Sequence, residues 1–419
     1  MTTATQFLPP APTAKSTFKL SRWMWVALVL GACVLISTIR VITGATTLTS
    51  QGLTEEALKA AVPIALAGLA GLWSERAGVV NIGLEGMMVF GTFGAGWAGH
   101  SYGPWAAVAF GVILGVVGGL LHALATITFG VDHIISGVAI NIIAPALTVF
   151  LAKIVFATAS GGVQRTSGQI ADLPRITVPG LSNLLGTLEE KHWFLISDVA
   201  GILRGLTTDV PILTVLTVFL FIGSFYILWR TRFGLRLRST GEAPYASESL
   251  GVNVNRYKYA AVMVSGGLAG LAGAFLVIRG QFQSGQTQGR GFIGLASLIF
   301  GNYRPGGVAM GAGLFGFTSG ATNYDPAGDG LALHALLLII VLALVFLGFW
   351  QYRRGEKVVA GVIAVIAVLA AVWYFTTDRV PAELANATPY VVTLMVMGLA
   401  SQRLRVPKAD GLVYRKGGH

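Results

Sequence analysis

The feature that most constrains this chain is a series of long apolar runs separated by short polar stretches. Most are close to the ~20 residues that a helix needs to cross a bilayer. The runs lie at residues 23–43, 56–73, 84–99, 104–129, 134–157, 210–229, 258–278, 291–303, 306–322, 331–350, 358–375 and 389–402. They predict an all-α integral membrane protein, a polytopic helical bundle with about 12 spans. The run 291–303 is short enough that it either crosses or re-enters.

The composition supports the same class. Hydrophobic residues make up 54% of the chain and charged residues only 11%, whereas soluble domains carry roughly 25% charged residues. The single cysteine, Cys33, leaves no intrachain disulfide, and the six histidines lack metal-ligand spacing. No metal or cofactor site is therefore expected.

The basic residues predict an orientation, because Lys and Arg concentrate in cytoplasmic loops. With a cytoplasmic N-terminus, the cytoplasmic segments would be 1–22, 74–80, 230–257, 302–306, 351–357 and 404–419. These segments and their borders hold about two thirds of the 29 Lys and Arg residues, whereas the external loop 158–209 mixes both signs. The membrane domain would then cover residues 23–403. A cleaved signal peptide is the alternative for the first run, but its length and the missing Ala-x-Ala site favour an uncleaved span.

The stretch WSERAGVVNIGLEGMM, residues 73–88, interrupts the apolar pattern with charges and an amide. Glu75 and Arg76 are expected at the cytoplasmic face, hydrated, as part of a gate. Asn81 and Glu85 enter the next span, where they are expected to fix a broken helix near a translocation path.

Polar residues inside spans are costly and often functional. Asn141 is the clearest case, with Ser136 near one end of the same run and Pro145 one turn on. A proline there is expected to kink or break the helix, and such discontinuities line cavities in transporters. The alternative is that Asn141 only hydrogen-bonds a neighbouring helix. Weaker candidates lie in or near loops: Asn302, Gln281, Gln283 and Gln286.

Glycines are abundant, and Gly267, Gly270 and Gly273 recur on one face of run 258–278. This spacing predicts close helix packing. A nucleotide-binding fingerprint would need a strand before the glycines. The chain also has no GxxxxGK[ST] motif, so it is not expected to bind ATP through a P-loop of its own.

The segment 230–257 begins with a strongly basic stretch and then predicts one short helix. Thr240 or Gly241 can cap this helix, and Gly251 can end it in a left-handed conformation. About nine helical residues are too few to be stable alone in water. Either the membrane domain or a partner holds the helix, or the segment is an ordinary linker.

Five ordered segments resemble the permease subunits of bacterial ABC importers of the simple-sugar and nucleoside class. They are SERAGVVNIGLEGMM (74–88), ISGVAINIIAPALTVFL (135–151), GLRLRSTGEAPYASESLGVNV (234–254), GRGFIGLASLIFGNYRPGGVAMGAGLFGF (289–317) and TPYVVTLMVMGLASQRLRVPKADGLVY (388–414). The first segment looks most like the nucleoside branch. The resemblance implies a permease in a bacterial plasma membrane that forms half of a path for nucleosides or similar solutes. A simple sugar or a branched-chain amino acid is the alternative cargo.

The resemblance also implies partners: a cytoplasmic ABC ATPase, a second related permease, an extracytoplasmic solute-binding lipoprotein and membrane lipid, but no nucleic acid. Glu75 and Arg76 would then gate the path or face the ATPase. A coupling helix would dock on the ATPase through Gly241, Glu242, Ala243, Pro244, Ala246, Leu250 and Gly251.

One departure from the family is clear, because residues 331–375 hold two apolar runs where a short link is usual. The fold is therefore expected to have about ten core spans plus two additional, peripheral ones. An ion-coupled secondary transporter is the competing class, and it would need an intramembrane carboxylate, for which only Glu85 qualifies. A membrane enzyme is disfavoured because no nucleophile–base pair or paired carboxylates occur within the spans.

Overall fold

The computed structural model describes residues 22–156, 166–278, 280–324, 331–377, 380 and 404–417. The predicted run 389–402 and most of the N-terminal tail lie outside this part. Within it, the helices are α1 Arg22–Thr43, α2 Gln51–Arg76, α3 Leu84–Tyr102, α4 Pro104–Ala123, α5 His133–Val155, α6 Leu181–Glu189, α7 Ile196–Thr207, α8 Ile212–Arg230, α9 Arg232–Glu242, α10 Pro244–Ser249, α11 Val254–Val277, α12 Arg290–Phe300, α13 Pro305–Asn323, α14 Leu331–Arg353 and α15 Lys357–Thr376. Two short strands, β1 Arg175–Ile176 and β2 Val210–Pro211, pair antiparallel.

The helices confirm an all-α, multi-pass membrane protein. Seven of those described are long and apolar enough to cross a bilayer: α2, α4 with its extension to Thr128, α5, α8, α11, α14 from His334, and α15. Helix α12 has only 11 residues, or about 16 Å at 1.5 Å per residue, against ~30 Å of hydrocarbon. The run 291–303 therefore does not cross by itself. The total number of spans stays a prediction.

Helices α2 and α11 form the centre of the bundle and are mostly buried. Helix α2 packs against α11, α12 and α13, while α11 also packs against α3 and α4. Helices α5 and α8 instead present much of their apolar surface outward. In water such surface would be a liability, whereas lipid tails solvate it.

Close approach of α4 and α11 depends on glycine. A methyl group on Gly270 would overlap the Gly111 carbonyl oxygen, and one on Gly266 would overlap that of Gly115. A methyl group on Gly273 would likewise overlap the carbonyl oxygen of Met88 on α3. The predicted packing is confirmed for Gly270 and Gly273. Gly267 instead faces valine side chains of α4. With 3.6 residues per turn, two successive steps of three residues drift off one helix face, so Gly266 rather than Gly267 shares the face of Gly270 and Gly273.

The two ends of α2 mark two opposite sides of the bundle. Helix α2 has 26 residues, or about 39 Å of length. At its start, the Gln51 N–H donates to Glu189 at the end of α6 over 3.1 Å. At its other end lie α9, α10 and residues 404–417. Helix α6, from the predicted external loop, thus lies at one end of the bundle. Parts of the predicted cytoplasmic segments 74–80, 230–257 and 404–419 lie at the other end. Helices α6 and α7 were not predicted, since 9 and 12 residues are too few for a span-length pattern.

Helices α14 and α15 are peripheral. They pack on each other, and α14 also contacts α1 and α13. At one end of the pair, His334 Nε2 lies 3.0 Å from the Tyr374 carbonyl oxygen. Their origin as an insertion stays a prediction.

Candidate functional site

A non-helical segment between α2 and α3, residues 77–83, enters the bundle and is called here the inserted segment. At its start, Gly78 lies against Gly241 and Ala409. Further on, Asn81 Nδ2 donates to Ser265 Oγ over 2.9 Å. Ser265 lies roughly three helical turns from the start of α11, or about 16 Å along that helix. The segment therefore reaches well into the membrane-spanning region.

Side chains from the surrounding helices satisfy the backbone of the inserted segment. Four carbonyl oxygens accept from side chains: Val79 from Ser74 Oγ (2.6 Å), Ile82 from Asn141 Nδ2 (2.9 Å), Gly78 from Lys258 Nζ (3.4 Å) and Ala77 from Thr240 Oγ1 (3.4 Å). His122 Nε2 lies 3.0 Å from the Val80 carbonyl oxygen, and His133 Nδ1 accepts from the Val80 N–H at 3.3 Å. Non-helical backbone at membrane depth requires such partners, because no water is available in hydrocarbon.

Asn141 and Ser136 both support this segment. Asn141 also accepts from the Gly86 N–H at 2.8 Å, so its amide oxygen and its amide nitrogen both bond backbone groups. Ser136 Oγ lies 2.9 Å from Nδ1 of His122, which in turn contacts the segment. These contacts match the alternative interpretation, in which Asn141 hydrogen-bonds a neighbouring part of the bundle, here residues 82 and 86.

Of the predicted kink or break at Pro145, the break is wrong and the kink stays a prediction. Helix α5 continues on both sides of that residue, because a proline removes one backbone hydrogen bond without preventing helix before or after it. The discontinuity in the bundle is the inserted segment instead.

Asn81 and Glu85 hold the segment to two different helices. Asn81 is completely buried, and its Oδ1 has no hydrogen-bond partner among the described residues. Glu85, in the first turn of α3, accepts from the backbone N–H groups of Gly289 (2.9 Å) and Gly291 (2.7 Å) at the start of α12. A helix N-terminus carries partial positive charge, so the carboxylate stabilises it.

Glu75 and Arg76 were predicted as a hydrated pair, and this is wrong for Glu75, which is only 5% exposed. The Tyr303 hydroxyl donates to its carboxyl group, and Asp410 lies beside it. Arg76 donates from Nε (3.1 Å) and Nη2 (2.5 Å) to the Tyr303 carbonyl oxygen. Burial arises because the loop between α12 and α13 and residues 404–417 cover this end of α2.

The short helix predicted at 241–251 is present as α10, but it is shorter than predicted and a second helix, α9, meets it there. Helix α9 ends at Glu242 and the six-residue α10 starts at Pro244. The break falls at Ala243, where the following proline disfavours helical backbone. The residue before α10 is Ala243, not Thr240 or Gly241, and it makes no side-chain cap. Thr231 caps α9. Gly251 does adopt left-handed backbone, with φ +80°.

Two features of this region matter for docking. A methyl group on Gly241 would overlap the Arg76 carbonyl oxygen, so α9 lies directly against the end of α2. Leu250, just after α10, is 85% exposed. The region therefore contacts the inserted segment on one side and offers an apolar residue on the other.

Residues 404–417, called here the C-terminal segment, bind these parts together. The Ala409 N–H donates to the Gly241 carbonyl oxygen (2.9 Å), and the Lys408 N–H donates to Glu242 Oε2 (3.4 Å). Asn302, in left-handed backbone with φ +50°, accepts from the Arg405 N–H at 2.7 Å. Asn302 is thus an anchor for the C-terminal segment. The sequence interpretation missed this segment as a structural element and treated it as a tail.

The acidic residue of the C-terminal segment has an altered proton affinity. Burial raises the pKa of Asp410 to about 7, although the nearby Lys258 ammonium opposes the change. Its Oδ1 has no hydrogen-bond partner among the described residues. The Asp410 and Glu75 carboxyl groups interact directly, so they take up and release protons as a pair.

Comparison with known proteins identifies the family. A family model described as "Branched-chain amino acid transport system / permease component" matches residues 53–346. The chain is 33% identical over 365 residues to the nucleoside ABC transporter permease protein NupC of Lactococcus lactis subsp. cremoris, covering 84% of this chain and 93% of that protein. It is 36% identical over 264 residues to the guanosine ABC transporter permease protein NupQ of Bacillus subtilis, covering 61% and 76%. No solved structure matches the chain. The family match extends over more than half of the sequence, and the chain therefore belongs to this family of transport-system permease components.

Proposed function

We propose that this chain is the membrane subunit of an ATP-driven importer and forms half of a translocation path for nucleosides. The inserted segment is the observation that carries the proposal. It places non-helical backbone inside a membrane bundle, which transporters use at substrate sites, and it contacts α9 at its outer end. The similarity to the nucleoside permease NupC supports the cargo. Simple sugars and branched-chain amino acids remain the alternative cargo.

Energy would come from a separate ATPase that docks on α10 and its neighbours. The coupling residues are Gly241, Glu242, Ala243, Pro244, Ala246, Leu250 and Gly251. A six-residue helix has little stability of its own, so a docked partner can move it. Displacement would pass through Gly241 to the inserted segment and through Glu242 to the C-terminal segment, since these groups are in direct contact.

The other partners follow from the two ends of the bundle. The end with α9 and α10 would face the cytoplasm together with both termini, and the end with α6 and α7 would receive a solute-binding lipoprotein. A second, related permease would complete the path. In this arrangement Glu75, Arg76 and Asn302 form the cytoplasmic closure, while Asn81, Glu85, Ser136 and Asn141 hold the inserted segment.

The geometry disfavours an ion-coupled carrier. Such a carrier needs an intramembrane carboxylate that is free to exchange its ion. Both carboxylate oxygens of Glu85 are bound by backbone N–H groups of α12, so this residue is engaged as a structural group.

The test is reconstitution in proteoliposomes with and without the ATPase, the second permease and the binding protein. Accumulation of radiolabelled uridine is expected only with the full set and ATP. Accumulation by the purified chain alone, driven by an ion gradient, would refute the proposal.

A further inference from the structure

A cavity of about 470 Å³ lies beside the loop that connects α11 to α12. Its size falls within the roughly 300–1,000 Å³ typical of small-molecule sites. The cavity is called here the glutamine pocket, because four of its lining residues are glutamines. The lining residues are Gln169, Leu276, Gly280, Gln281, Gln283 and Gln286.

The pocket lies at the end of the bundle opposite α10. Helix α11 starts beside α10 and has 24 residues, or about 36 Å of length, and Leu276 is its next-to-last residue. From the pocket the chain runs on to Gly289 and Gly291, whose N–H groups bind Glu85 inside the bundle. The loop that lines the pocket is therefore continuous with the backbone groups that hold Glu85, two residues after the inserted segment.

The backbone around the pocket is held in place. The Ile170 N–H donates to the Gly280 carbonyl oxygen at 2.8 Å, and the Phe282 N–H donates to Ser167 Oγ at 2.8 Å. The Phe282 ring is 1% exposed and lies 5.8 Å from the rings of both Phe93 and Phe156. This aromatic cluster holds Phe282 in place between Gln281 and Gln283.

Of the four glutamine side chains that line the pocket, one holds the loop together and three make no hydrogen bond within the described residues. Gln286 donates to the Leu276 carbonyl oxygen (2.7 Å) and accepts from the Gln283 N–H (3.1 Å), so its amide shapes the loop. The side-chain amides of Gln169, Gln281 and Gln283 make no hydrogen bond to any described residue. They are free to bind a solute.

A carboxamide presents a donor and an acceptor side by side. This arrangement matches the edge of a nucleobase, where ring nitrogens and exocyclic groups alternate as acceptors and donors, and Gln pairs with adenine in this way. We propose that the glutamine pocket is the entry subsite that recognises the base of an incoming nucleoside through Gln169, Gln281 and Gln283. The inference rests on the proposed function and names the subsite for its cargo.

The test replaces Gln281 or Gln283 with Leu in the complete reconstituted importer. Leucine keeps much of the volume but removes both the donor and the acceptor. Nucleoside uptake at subsaturating substrate is expected to fall about three- to tenfold per substitution. Gln281→Asn should recover part of the loss. Gln351→Leu on α14, remote from the pocket, is the matched control and should leave uptake unchanged.

A second measurement reports directly on occupancy. Cys33 is the chain's one cysteine, so Gln283→Cys in a Cys33→Ala background offers a single thiol to a labelling reagent. Adenosine should slow labelling at least threefold, whereas ribose at the same concentration should not. Equal protection by ribose, or none by adenosine while the importer still transports it, would overturn the assignment to the base. Failure of the wild-type complex to transport nucleosides would instead overturn the proposed function.

Discussion

The Glu85 carboxylate accepts a hydrogen bond from the Gly291 N–H at 2.7 Å, and this bond joins the first turn of α3 to the first turn of α12. A second bond from Gly289 reinforces it. Because α12 is too short to span the membrane, its position depends on such contacts. Glu85 is therefore predicted to determine where the loop between α11 and α12 ends inside the bundle.

Glu85→Ala should destabilise the folded permease by about 3 kcal/mol, since two hydrogen bonds to a charged group are lost. Glu85→Gln keeps one acceptor and should cost about half as much. Unfolding of the purified complex in a denaturing detergent titration measures the change. Glu55→Ala is the control, because Glu55 pairs with Lys59 near the surface and such pairs contribute ~1 kcal/mol or less. Equal effects of the two alanine variants would contradict the assignment.

Asn141→Leu should reduce the yield of folded protein strongly. The substitution leaves the Ile82 carbonyl and the Gly86 N–H buried without partners, at about 1–3 kcal/mol each. Size-exclusion profiles of the solubilised protein measure the folded fraction. Ile142→Leu, at the outward-facing neighbouring position, should behave as wild type. A normal profile for Asn141→Leu would show that the inserted segment does not need this amide.

Gly270→Val should prevent close packing of α4 and α11, because the side chain would overlap the Gly111 carbonyl group. We expect a loss of at least ~3 kcal/mol, since two backbones must separate and lose their contacts. Gly313→Ala on α13, which meets no atom within 4 Å, is the matched control. The thermal midpoint of the purified permease checks both.

The sequence predicts the elements that depend on local pattern and misses those that depend on distant contacts. The long helices and the packing at Gly270 and Gly273 follow from apolar length and small-residue spacing. The burial of Glu75 does not, because the groups that cover it, Tyr303 and Asp410, lie far along the chain. Asn141 was identified as special, but only the structure shows that its partner is the backbone of residues 82 and 86.

Gly251→Val should uncouple the ATPase while leaving the chain inserted. Gly251 has φ +80°, a conformation that a β-branched residue adopts only with strain of about 1–3 kcal/mol. Glu242→Lys should act similarly by breaking its bond to the Lys408 N–H. Co-purification with the ATPase and ATP-dependent uptake should both fall at least fivefold.

The control for that experiment lies in the turn between α14 and α15. Gly355 has φ +86° and open space around it, so Gly355→Val introduces the same strain away from α10. It should retain the ATPase. Normal assembly and uptake in Gly251→Val would refute the coupling role of this region.

The binding of the C-terminal segment to α9 and to the end of α2 should weaken as the pH rises towards 7. The folded pKa of Asp410 is about 7, above the ordinary value of 3.8. Between these values the folded segment keeps a proton that the free segment has released, so stability falls with rising pH across this window and is level above it. Hydrogen exchange of residues 404–417, corrected for intrinsic rates, should be faster at pH 7 than at pH 5. Asp410→Asn should reduce the difference, and an unchanged difference would contradict the prediction.

The inserted segment also sets an order for biogenesis. Its backbone partners lie on α2, α4, α5, α9 and α11, and the last of them, Lys258, is made 180 residues after Gly78. Ser265, the partner of the Asn81 side chain, follows on the same helix. Until α11 has been made, the Gly78 carbonyl group and the Asn81 amide lack these partners in the membrane. The first half of the protein can therefore enter the bilayer early, but it reaches its final conformation only after α11 has left the translocon.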